Sequence, residues 1–306
     1  MKILITGGAG FIASHVADAY VAAGHEVVIV DNLSTGNVDF IPRAARFIQA
    51  DITDKMTIQQ IIKAEAPEII NHHAAHIQVG NSVKDPQFDA ENNIIALLNI
   101  MEAAKDIPIK KIIMASTGGA MYGDKEVPFN ETMKEEPVSP YGVSKRSGEL
   151  YLNYYYQQYQ IPFVALRYAN VYGPRQNPHG ESGVVAIFAE MLMQNKTPVI
   201  NGEGTNTRDY VFVKDVAQAN LLALDTQHVG ALNIGTSTET STNEVFDKIV
   251  AALGKNVEKN HGAARPGEQL RSVLSYKKAE EILGWKPTVF FDEGVKLVAQ
   301  WYQENM

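Results

Sequence analysis

From Lys2 to Tyr168, short runs of apolar and β-branched residues alternate with longer stretches whose apolar positions recur every three to four residues. The short runs predict strands at Lys2–Thr6, Glu26–Asp31, Arg46–Ala50, Glu68–Ala75, Lys111–Ser116 and Phe163–Tyr168. The longer stretches predict a first helix ending near Ala23, then helices at about Lys55–Glu65, Phe88–Lys105 and Tyr141–Tyr159. In the third of these, Ile94, Leu97, Leu98 and Met101 form the apolar face. Such alternation predicts a mainly parallel sheet covered on both faces. Right-handed crossovers then restrict it to the doubly wound, Rossmann-like α/β class.

After Gly173 the pattern changes. Pro174, Pro178 and several glycines interrupt it, and helices are expected near Val184–Gln194, Val213–Asp225 and Asn243–Leu253. Residues 1–173 read as one α/β domain and 174–306 as mainly a smaller second lobe, with Ala231–Gly235 returning as one more strand. At 306 residues, 45% hydrophobic and 20% charged, the chain is long enough to bury a sizeable core. A net charge of −8 argues against a broad basic surface for nucleic acid, so an anionic ligand would need a local basic pocket. The absence of cysteine excludes disulfides, thiolate metal sites and a cysteine nucleophile, and suits a reducing, cytoplasmic setting. No charged leader with an apolar stretch opens the chain, and no run of about 18 apolar residues occurs. Neither a signal peptide nor a membrane-spanning helix is therefore expected.

The turn Gly7-Gly8-Ala9-Gly10-Phe11-Ile12-Ala13 links the first strand to the first helix. Glycine there allows a tight turn and close approach to a pyrophosphate, and the helix N-terminus offers free N–H groups to phosphate. Ala13 fills the third fingerprint position, which tolerates alanine. Asp31 ends the second strand roughly 20 residues on, where a carboxylate accepts hydrogen bonds from the adenosine ribose and repels a 2′-phosphate. The pattern predicts NAD rather than NADP. Asp51-Ile52 follows the third strand, where an adenine could lie; Asp51 serves equally well as a cap near Thr53 and Asp54.

Tyr141-Gly142-Val143-Ser144-Lys145 puts a phenol and an ammonium on one helix face. A tyrosine base working near pH 7 needs its pKa lowered by about three units, and burial alone pushes the other way. A neighbouring ammonium and a positive nicotinamide ring both favour the phenolate. The preceding strand ends in Ser116-Thr117-Gly118-Gly119-Ala120, where a hydroxyl could share the proton network.

With Thr6 to Ile12, Asp31-Asn32-Leu33-Ser34-Thr35-Gly36, Ala74-Ala75, Asn93, the Tyr141/Lys145 pair, Leu166 to Arg175 and Arg208-Asp209-Tyr210-Val211, essentially the whole chain resembles the extended short-chain dehydrogenase/reductases. Within them it is most similar to the UDP-glucose 4-epimerases. The resemblance implies isomerisation at C4 of a UDP-hexose through a transient 4-keto sugar, with NAD retained, Tyr141 as proton acceptor and donor, and Lys145 on the nicotinamide ribose. It implies a cofactor site that adds Gly7, Gly10, Phe11, Ile12, Asn32, Ser34, Thr35, Gly36, Ala74, Ala75, His76, Asn93, Ser116, Tyr168 and Val171 to the acids above. For the nucleotide sugar it implies Asn170, Gly183, Val184, Val185, Arg208, Arg265 and Glu268, the arginines on the pyrophosphate. Gly118 stands at the catalytic hydroxyl position and Thr117 one residue before it, so Thr117 is expected to take that role. His76 replaces a common glutamine, and Asn201 an aromatic often near the uracil. Ser272 stands where side-chain size sets the sugar pocket, which implies room for an N-acetyl group.

By the same resemblance, the helices near 88–105 and 141–159 form the contact of a homodimer, and galactose metabolism is the implied setting. Dehydratases of this superfamily carry Asp-Glu where Gly118-Gly119 stand here. A UDP-glucuronate epimerase, a net oxidoreductase and a silent NAD-sensing protein remain alternative readings. His72, His73 and His76 lack a metal-site arrangement, so no metal is expected.

Overall fold

The computed structural model describes residues 1–178, 183–264 and 269–306. The first half builds β1 (Lys2–Thr6), α1 (Phe11–Ala22), β2 (Glu26–Asp31), β3 (Arg46–Gln49), α2 (Lys55–Glu65), β4 (Ile69–His72), α3 (Val79–Lys84), α4 (Pro86–Ala90), a π-helical turn (Glu91–Ile95), α5 (Ala96–Ala104), β5 (Lys111–Thr117), α6 (Pro140–Tyr159) and β6 (Phe163–Tyr168). The second half adds β7 (Asn170–Tyr172), α7 (Val184–Met193), β8 (Val199–Asn201), β9 (Thr207–Arg208), β10 (Tyr210–Phe212), α8 (Val213–Ala223), β11 (Gly230–Ile234), β12 (Thr240–Ser241), α9 (Thr242–Ala252), β13 (Asn260–Gly262), β14 (Arg271–Ser272), α10 (Lys277–Leu283) and α11 (Phe291–Asn305).

Seven strands form one parallel sheet in the order β3-β2-β1-β4-β5-β6-β11. The order is that of the doubly wound class, extended by the returning strand β11. Alternation along β1 shows why both faces are apolar. Ile3 and Ile5 enter the core under α1 and α8, whereas Leu4 enters the one under α2, α5 and α6. A third apolar cluster joins α7, α9 and α11 around Tyr172 and Phe212.

Local chemistry sets the helix ends. Asp54 caps α2 through the Met56 and Thr57 amides, and Ser139 caps α6 with Pro140 in its first turn. Ser241 and Glu244 form a capping box on α9, and Gly284 closes α10 in the left-handed region.

Several predicted bounds shift. The fourth strand stops at His72, and residues 73–76 run on as irregular backbone. The helix expected at 88–105 begins at Pro86, capped by Asp85, and contains the π-helical turn. α3 and α11 were not among the predicted elements. The paired strands of the second half, β12-β9-β14, β13-β8 and β10-β7, are two or three residues long, too short for periodicity to reveal.

Trp285 locks the C-terminal segment onto this frame: it is 1% exposed and its indole N–H donates to the Asp215 carbonyl at 2.8 Å. The Asp215 carboxylate accepts from the Thr288 and Val289 amides. Trp285→Ala is expected to cost about 3–5 kcal/mol of stability, read as a lower urea midpoint at unchanged slope. A loss under 1 kcal/mol would refute this anchoring.

Candidate active site

At the carboxyl ends of the sheet strands lies a cavity of about 450 Å³. Gly7, Gly10, Phe11 and Ile12 form its glycine-turn wall, and Asp31, Asn32, Ser34 and Thr35 the edge beyond β2. Asp51, Ile52, Ala74, Ala75 and His76 close one side, and Ser116, Tyr141, Lys145 and Tyr168 another. Gly36, Asn93 and Val171 are not among the residues that line this cavity. Asn93 turns to the His76 backbone, accepting from its amide at 2.8 Å and donating to its carbonyl at 2.9 Å. His73, Ile77, Gln78, Phe88 and Asn92, which the sequence did not single out as ligands, also line it.

The cradle fits a dinucleotide. Gly7 has φ +71°, and a Cβ there would lie 2.6 Å from the Ala74 amide nitrogen, so the turn packs directly on the loop after β4. Asp31 accepts from the amides of Ala9 (3.0 Å) and Leu33 (2.8 Å), tying the glycine turn to the loop that carries Ser34 and Thr35. Asp51 is not the cap of α2, a place that Asp54 takes. Asp51 faces the cavity, and it accepts from the Thr53 amide and from Asn32 Nδ2 at 2.8 and 2.9 Å. Ser116 is less available than expected, since its hydroxyl donates to Glu149 Oε1 at 2.7 Å.

Tyr141 opens α6 and Lys145 follows one turn later, its Nζ 5.9 Å from the phenol ring centre. The chain's own charges do not hold the phenol ionised, contrary to expectation. Burial pushes its pKa up, the Asp89 charge pushes it further, and only the Thr117 hydrogen bond opposes them. Lys145 is buried, donates to the Ala115 carbonyl at 3.0 Å, and is drawn down to about 8 by desolvation against the attraction of Asp89 and Glu149.

Thr117 is the last residue of β5, paired with Tyr168, and its Oγ1 accepts from the Ala120 amide at 3.2 Å. At Gly118 a Cβ would lie 2.3 Å from Leu274, so a serine there would collide with the Leu274 side chain.

The second half approaches the same strand end. A Cβ at Gly119 would meet Ser272 Oγ at 3.7 Å and Asn170 Oδ1 at 3.8 Å. Ser272 is buried and pairs with Arg208 across β14 and β9; Arg208 Nη1 donates to the Thr207 carbonyl. Gly183 caps α7, Val184 is half-buried and Val185 packs into the third cluster. Asn201 lies on β8, paired with Gly262. Arg265 and Glu268 fall outside the described residues. Among the described residues no group of three His, Cys, Asp or Glu side chains could hold a metal, and no helix is long and apolar enough to cross a membrane.

A parallel doubly wound sheet, a glycine turn at its switch point and a Tyr–Lys pair on the neighbouring helix define a dinucleotide-binding enzyme of the short-chain type. The chain belongs to the NAD dependent epimerase/dehydratase family, whose sequence profile matches residues 3–235. It is 45% identical over 304 residues to a putative UDP-glucose 4-epimerase of Methanocaldococcus jannaschii, covering 99% of both chains. Among solved structures it resembles UDP-glucose 4-epimerase of Thermotoga maritima with UDP-glucose, with TM-score 0.97, 43% identity and 99% of both chains covered. It also resembles the Thermus thermophilus UDP-glucose 4-epimerase complex with NAD, with TM-score 0.96, 41% identity and 100% of both covered.

Two buried histidines, His15 and His72, and the half-buried His73 make stability depend on pH. Burial lowers His15 to about 4 and His72 and His73 to about 3, with the Lys145 charge adding to the last two. Unfolded, each titrates near 6.5. Between the folded and unfolded values the unfolded state binds more protons, so stability falls as pH drops below about 6.5. The limit is about 1.4 kcal/mol per pH unit for each histidine. Urea midpoints at pH 7 and pH 5 should show the drop; equal midpoints would contradict it.

Proposed function

We propose that this chain is an NAD-dependent isomerase that interconverts UDP-hexoses epimeric at C4, UDP-glucose and UDP-galactose first among them. The observation that carries the reading is the convergence of Tyr141 and Lys145 on the glycine-turn cavity, with Thr117 hydrogen-bonded to the phenol. It occurs in a chain 41–45% identical along its length to named UDP-glucose 4-epimerases. The nicotinamide, when bound, supplies a positive charge beside the phenol and accepts and returns hydride at C4.

The residues of the chain do the rest. Tyr141 takes the proton of the C4 hydroxyl as a 4-keto sugar forms, and returns it after the sugar has turned over. Thr117 holds the phenol oxygen and shares its proton. Lys145 fixes the nicotinamide ribose, with Gly7, Gly10 and Asp31 seating the pyrophosphate and adenosine ribose. Arg208 and Arg265 bind the substrate pyrophosphate, since a guanidinium matches it with a rigid fork of donors. Asn170 and Glu268 contact the nucleotide. Residues 1–173 serve as the NAD domain and 174–306 as mainly the substrate lobe. Small Ser272, beside Gly119, leaves room for an N-acetyl group at C2. Galactose metabolism in the cytoplasm is the setting this reading implies.

Purified protein given UDP-galactose without added NAD should yield UDP-glucose with no net NADH. Tyr141→Phe should lower kcat by at least about 10³-fold while bound NAD is retained. Net NADH would point to a dehydrogenase instead. Inertness toward UDP-galactose, UDP-N-acetylglucosamine and UDP-glucuronate alike would remove the enzymatic reading.

We also propose a homodimer through α5 and α6. The support is the exposed apolar surface of Ile95, Leu150, Tyr151, Tyr154 and Tyr159 on these helices and the preceding turn. Sedimentation equilibrium should give twice the 33.6 kDa chain mass, and Tyr154→Glu should shift it toward the monomer. A monomeric wild type at micromolar concentration would end this proposal.

A further inference from the structure

Asp89 lies on α4, is 0% exposed, and had no place in the sequence pattern of the site. Its Oδ2 accepts from Ser144 Oγ at 2.5 Å, and its Oδ1 from Asn93 Nδ2 at 3.0 Å. Ser144 is the residue before Lys145 on α6. Asn93 sits in the π-helical turn and clasps both backbone groups of His76 on the cavity wall. One carboxylate therefore ties the helix bearing Tyr141 and Lys145 to the cofactor-facing loop. π-Helical turns recur at functional sites, and Asn93 sits in one.

Charge compensation separates Asp89 from the other carboxylate near Lys145. Glu149 is met by Arg167 in a two-point bond, Nε to Oε1 at 2.9 Å and Nη2 to Oε2 at 2.6 Å. Among the described residues Asp89 has only the neutral hydrogen-bond donors Ser144 and Asn93. Among the described residues its one ion-pair contact within 4 Å is His76, whose Nδ1 lies 3.6 Å away and makes no hydrogen bond. A buried carboxylate so placed needs a cation, and Lys145 is the buried cation on the helix it grips.

We propose that Asp89 is a positioning residue for the reaction: through Ser144 and Asn93 it fixes α6 against the cofactor-facing loop, and its carboxylate balances the charge of Lys145. The same negative charge resists ionisation of Tyr141. The chain alone thus keeps its cation charged and its phenol neutral, and the phenol gains acidity only when a further positive charge enters the cavity. The other titratable groups near Lys145 are Tyr141 and Glu149 on α6, and His72 and His73, held neutral by burial, around the end of β4. Lys84, Asp85 and Glu91, close to Asp89 in sequence, are exposed.

The proposal rests on Tyr141 and Lys145 being the reacting pair but not on the sugar. Its first test therefore uses no nucleotide sugar. Lys145 is titrated by NMR of ε-labelled lysine in the wild type and in Asp89→Asn, compared in the same cofactor state, with Lys145→Met giving the assignment. Asp89→Asn should lower the Lys145 titration point by roughly one unit or more. The second test is Ser144→Ala, which keeps the charge and removes the tether. It should leave that titration point in place and lower kcat for UDP-galactose roughly tenfold with little change in KM. An unmoved Lys145 in Asp89→Asn, or wild-type kcat in Ser144→Ala, overturns the proposal. If Asp89→Asn does not fold, Ser144→Ala decides it alone. If the protein has no epimerase activity, the Lys145 titration alone decides it.

Discussion

The ammonium of Lys145, enclosed at the carboxyl ends of the parallel strands, is the constraint around which the rest is arranged. A lone cation at that depth would cost several kcal/mol, so the fold must surround it with acceptors. It does so with the Ala115 carbonyl and the carboxylates of Asp89 and Glu149, and desolvation still draws its pKa down to about 8. Each compensation creates the next demand. Glu149 requires Arg167, which is 2% exposed and reaches Glu135 and the Tyr122 hydroxyl as well. Tyr122 passes the chain of bonds to Asn233 on β11. The need to hold one charge thus extends from Lys145 across the sheet to a strand that begins 85 residues later in sequence.

A second buried carboxylate joins the two halves of the molecule. Asp209, between β9 and β10, is 1% exposed and accepts from the amides of Thr236, Ser237 and Leu274. Burial outweighs those bonds and lifts it to about 6. Through it, the strand carrying Arg208 is fastened to the end of β11 and to the segment following Ser272. The side chains of Arg208 and Ser272 therefore stand in a fixed relation to the Thr117 strand end.

Much of the fold was legible because its signals are local. Continuous apolar runs such as Lys2–Thr6 mark strands buried on both faces. The glycine turn marks the switch from strand to helix, and Asp31 arrives at the expected distance from it. The Tyr141/Lys145 spacing needs only the helical period to become one face. Even so, α11 lies outside the predicted elements although Val295, Val298, Ala299 and Tyr302 carry that period. The short strands of the second half carry no period at all. Thr117 was expected to take the hydroxyl role from Gly118, and the physical ground for glycine there is the Leu274 side chain 156 positions away.

By itself, then, the sequence determined what depends on neighbours along the chain: the alternating elements, the phosphate-cradling turn, the pairing of phenol and ammonium on one helix. What only the tertiary structure decided is the electrical state of that pair. Whether Lys145 is balanced, and by which carboxylate, depends on Asp89 and Glu149 lying on different helices and on Arg167 having already claimed one of them. Electrostatic energy depends on distance and burial, and neither is written in the order of residues.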